Sequence, residues 1–138
     1  VVTTQQVYEE FSGGKKDVTA LRDFFRTLYQ RSNRFENVLL IGRGTYDYKN
    51  RVTSNSTFVP IYESRNSLSP LETYSSDDYF AFVGSSEGEW SESPAVNHNM
   101  AFGVGRLPVR TTAEAKGIVD KLIAYDTDPK KYGRWRKS

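Results

Sequence analysis

At 138 residues with a net charge of +2, the chain has room for one domain and too little positive charge to argue for nucleic-acid binding. It contains no cysteine, which excludes disulfides, a thiolate nucleophile and thiolate metal sites within these residues. Nine Tyr and eight Phe supply aromatic mass for a packed core, and no apolar run approaches the roughly 20 residues of a membrane helix.

The chain opens Val1-Val2-Thr3-Thr4 without an initiator Met or a signal-peptide pattern, and reads as a piece of a longer protein. Val1-Val2 reads as the stub of a strand. Gln5 to Phe11 is a short amphipathic turn stopped by Gly13-Gly14. Asp17 is placed as an N-cap for a helix over 18–31, whose apolar face carries Val18, Leu21, Phe24, Phe25, Leu28 and Tyr29. Residues 38–41, Val-Leu-Leu-Ile, form an aliphatic run that stops at Gly42, the pattern of a parallel strand buried on both faces. We expect a strand over 37–41.

From Gly42 to Ser69 the chain is loop-rich, and Pro60 argues against a central strand in Phe58–Tyr62. Asp78-Tyr-Phe-Ala-Phe-Val83 is the next strand candidate. Residues 84–99 read as a polar loop, followed by a strand over 101–106. Thr111-Thr-Ala-Glu114 fits a capping box that starts a final helix over 112–125. Its buried stripe would be Ala115, Ile118, Val119, Leu122 and Ile123. The expected fold is α/β: a small, mostly parallel sheet with 37–41 and 101–106 near its centre, flanked by helices. Leu40 and Val104 should be buried. Residues 1–138 form one such unit, and the basic segment 129–138 reads as the start of a connection to something further.

Ligands and catalytic groups gather at the carboxyl ends of strands in such sheets. Gly42-Arg43-Gly44 lies at one such end but satisfies no phosphate-loop pattern, so Gly42 and Gly44 read as tight-turn residues. Asp47 and Arg106 lie just past the two strands, where a catalytic role and an ion pair that fixes loop geometry are both open. Gly84-Ser-Ser86-Glu-Gly88 matches a nucleophile elbow, but no helix pattern follows it. Tyr74-Ser-Ser-Asp77-Asp78-Tyr79 is rich in oxygen. That suits calcium or magnesium on Asp77 and Asp78, and equally suits capping of backbone amides or pairing of a carboxylate with Arg106 or Arg65. The single histidine, His98, reads as a surface side chain.

Several segments in order resemble one family: Val7–Arg22, Leu39–Tyr48, Val59–Tyr62, Tyr74–Phe80, and Gly103–Arg110 with the helix after it. They resemble the gingipain-type cysteine peptidases, and within them the signal-removing sortases of type IX secretion in the Bacteroidetes. The resemblance implies a caspase-like catalytic region of two subdomains, of which this chain matches the first, and the catalytic His and Cys belong to the second. It implies no required cofactor; relatives bind calcium, which favours Asp77 and Asp78 as candidates without identifying them as ligands. It implies export to the cell surface, outer membrane or extracellular space. The partners it implies are the downstream catalytic subdomain, protein substrates and secretion-system components, with no nucleic acid and no membrane span in these residues. The chain departs from the family pattern at Arg43, where relatives often carry Asp after the strand glycine. The other reading of these residues is an α/β binding or scaffolding module of a surface protein without peptidase activity.

Overall fold

The computed structural model describes residues 1–47, 51, 58–64, 71, 73–84, 87 and 98–127. These fall in two compact units, 1–108 and 109–138, each taken by itself below.

The first unit begins with α1, Thr4–Ser12, in place of the single turn expected from the sequence. Thr3 starts it with a full capping box. Its hydroxyl accepts from the Gln6 amide, and the Gln6 side chain accepts from the Thr3 amide. Gly13 stops it in the left-handed conformation that costs glycine least. Val1 and Val2 are exposed and form no strand. α2 spans Val18–Arg31, capped by the Asp17 carboxylate accepting the Thr19 amide at 2.8 Å, as the sequence predicts.

The two strands expected at the centre are present and parallel. β1, Asn37–Ile41, pairs in register with a later strand, Gly103–Leu107, so that Leu40 lies opposite Arg106. Between them run β2, Tyr62–Glu63, and β3, Ser75–Ser76, an antiparallel pair that forms a second small sheet. Gly103–Leu107 is therefore β4. The alternation along β1 differs from the expected two-sided burial. Leu40 is buried and Val38 partly so, while Leu39 and Ile41 are exposed on the opposite face. Val104, expected in the core, is only partly buried. With period two, a strand covered on one face buries every second residue, and among the described residues the core lies on the Leu40 side.

Asp78–Val83 forms no strand. It makes a single 3₁₀ turn over Asp78–Ala81, closed by Phe80 N donating to Asp77 O. The Ser76 hydroxyl accepts the Asp78 amide and turns the chain. A short run of buried aromatics has no periodicity that separates strand from turn. Phe80 is completely buried and meets Phe25 edge to face, and Phe102 does the same with Phe25 and Phe35. With Val7, Tyr8 and Leu21 these rings form one core beneath α1 and α2.

In the second unit α3 spans Thr112–Thr127. Its cap is half of the expected box. The Thr111 hydroxyl accepts the Glu114 amide, but the Glu114 carboxylate reaches past Thr111 to the Arg110 amide at 2.7 Å. No residue of α3 is buried, and Val119, Leu122 and Ile123 are exposed. One helix has no second layer within its own unit on which to bury an apolar stripe. Residues 129–138, including the proposed connection, lie outside the described residues. No helix among the described residues is long and apolar enough to cross a membrane.

Candidate functional site

The carboxyl end of the β1–β4 pair is organised by one side chain. Arg106, on β4, uses all five of its N–H donors. Nε and one terminal nitrogen grip Asp77 in a fork, at 2.7 Å to Oδ2 and 2.6 Å to Oδ1. The other terminal nitrogen donates to the carbonyls of Gly42 and Val59, each at 2.9 Å, and the remaining donor reaches the Pro60 carbonyl at 3.1 Å. A planar guanidinium suits this task because its donors are fixed in one fork and it stays charged. The ion pair is mostly enclosed, with 12% and 20% of the two side chains exposed.

The glycines at this end exist because the segment 58–61 lies directly on them. Gly42 has φ +143°, and a Cβ there would stand 2.8 Å from the Phe58 Cβ. A Cβ on Gly44 would meet the Val59 carbonyl oxygen at 3.1 Å and the Arg106 guanidinium at 3.3 Å. The close approach is held by Phe58 N donating to Arg43 O at 3.0 Å and by Gly42 N extending the β ladder to Leu107 O. Asp47 is buried, and its carboxylate accepts the Arg51 amide at 2.8 Å. The structure thus brings Gly42, Gly44, Arg106 and Asp77 into one hub, and gives Asp47 a loop-capping bond beside it.

Asp77 and Asp78 do not converge. Both Asp77 oxygens are taken by Arg106, and Asp78 is exposed, its amide bonded to Ser76. Among the described residues no group of three or more His, Asp or Glu could hold a metal ion. A calcium ion on Asp77 would have to displace a guanidinium, so the donor set does not fit one.

Next to the hub opens a cavity of about 560 Å³, lined by Arg43–Tyr46, Ile61, Glu63 and Thr73–Ser75. Burial pushes the Glu63 carboxyl above the usual carboxylate range, and its Oε1 is enclosed without a hydrogen-bond partner.

A second polar centre escapes sequence reasoning. Arg22 is 1% exposed on α2. Its Nε donates to the Phe82 carbonyl at 2.6 Å, a terminal nitrogen donates to the Glu87 carbonyl, and its guanidinium faces the Tyr79 ring at 5.7 Å. The Glu87 carboxylate accepts the amides of Gly84 and Asn99. His98 is not a surface side chain: it lies 4.0 Å from Glu87 with its ring against Phe82, and 11% of its side chain is exposed. The available signal was spacing, since Arg22 shares the stripe of Phe25 and Tyr29 at i+3 and i+7. Ser86 of the elbow motif lies outside the described residues.

The whole sequence, residues 1–138, matches peptidase family C25. A solved structure, dimeric latent PorU from Porphyromonas gingivalis, superposes with a TM-score of 0.69 at 33% identity. The match covers 99% of this chain and 14% of that one, so the chain spans about one seventh of the PorU length. Comparison with curated proteins returns no match.

Proposed function

The chain belongs to peptidase family C25, and we propose that it is the non-catalytic first subdomain of a secreted, gingipain-like cysteine endopeptidase. The observation that carries this reading is a family match over all 138 residues in a chain with no cysteine. In such an enzyme a thiolate, activated by His, attacks the scissile carbonyl and forms a thioester. These residues offer no thiol, and His98 is packed against Phe82 and Glu87. Their contribution is architectural. The Arg106 hub holds the loops at the carboxyl end of the parallel pair, and that end would frame one side of a cleft completed by a catalytic subdomain outside these residues.

The finer reading is the type IX secretion sortase, which would remove a C-terminal secretion signal from exported proteins, with transfer to a surface glycolipid. The order of matching segments and the 33% identity to PorU support it. It would act at the cell surface.

The test compares the isolated chain with its parent polypeptide. The 138 residues should hydrolyse neither peptides nor esters. The parent should cleave a protein bearing a C-terminal secretion signal, and a thiol-reactive peptidyl inhibitor should label one cysteine beyond Ser138 and stop the cleavage. A parent without such a cysteine, or turnover by the isolated chain, overturns the proposal.

A further inference from the structure

We draw no further inference here: the strongest candidate, the exposed Leu39 and Ile41 face of β1, is an apolar sheet surface, and nothing in the structure shows what covers it.

Discussion

Arg106 holds Asp77 by two parallel bonds of 2.7 and 2.6 Å, joining β4 to the residue that opens the 3₁₀ turn. The fork leaves neither partner free to serve as acid, base or metal ligand, and it makes the pair the fastening of the whole strand end. Arg106→Lys offers fewer donors on a different geometry, so several carbonyls lose their bonds. We expect a loss of about 2–4 kcal/mol in urea unfolding, a little below the roughly 3–5 kcal/mol for breaking a fully buried pair, because both side chains keep some exposure. A double-mutant cycle with Asp77→Asn should show strong coupling, and additive losses would mean the two act independently.

Calcium should leave the melting temperature unchanged, because Asp77 is committed and Asp78 stands alone on the surface. A rise at saturating calcium that disappears in the Asp77→Asn, Asp78→Asn double variant would show that the ion displaces the guanidinium.

Two glycine substitutions should differ in size. Gly13→Ala places a methyl in open space and costs about 1 kcal/mol for the left-handed backbone alone. Gly42→Ala adds a clash at 2.8 Å with the Phe58 Cβ and should cost about 3 kcal/mol or more. Equal losses on chemical unfolding would contradict the close approach of segment 58–60.

The two faces of β1 should respond unequally. Leu40 is 5% exposed and Leu39 is 58% exposed. Leu40→Ala should cost roughly 2–5 kcal/mol and Leu39→Ala less than about 1 kcal/mol. Similar values would place a second layer on the Leu39 face.

Glu63 gives a pH signature. Its folded pKa is raised by burial, so folding favours the protonated form. Its contribution is fully present below the unfolded value of 4.5 and is lost as pH rises through the higher folded pKa. Glu63→Gln should therefore raise the melting temperature at pH 7 and leave it nearly unchanged at pH 4. An effect of the same size at both values would mean the carboxyl is not desolvated.

The second and third helices and the parallel pair were legible because each carries a local signal, whereas α1 read only as a turn. Asp17 and Gly13 mark helix ends by backbone chemistry, and the aliphatic run before Gly42 marks β1. The order of segments was enough to indicate the peptidase family. Asp78–Val83 was misjudged because a six-residue apolar run has no period to read. The exposed face of β1 was missed because Leu39 and Ile41 look the same in sequence whether or not a layer covers them. At the site, Asp77 and Arg106 were both singled out, but their mutual fork depends on the return of β4 beside β1. Arg22 and Glu63 were missed for a related reason: a charge inside a helix stripe, or in a two-residue strand, acquires meaning only from what folds over it.

The five donors of Arg106 reach partners 64, 47, 46 and 29 residues earlier in the chain. Each contact closes a long loop, and closure entropy is lost before the bonds form. The α1–α2 pair, whose contacts are short-range, can assemble first. The walls of the Arg43–Glu63 cavity then take their final spacing only when residue 106 arrives, near the end of the first unit. Substitutions at Arg106 should accordingly quicken unfolding more than they slow folding. In a chain that emerges amino terminus first, this cavity is among the last features to mature.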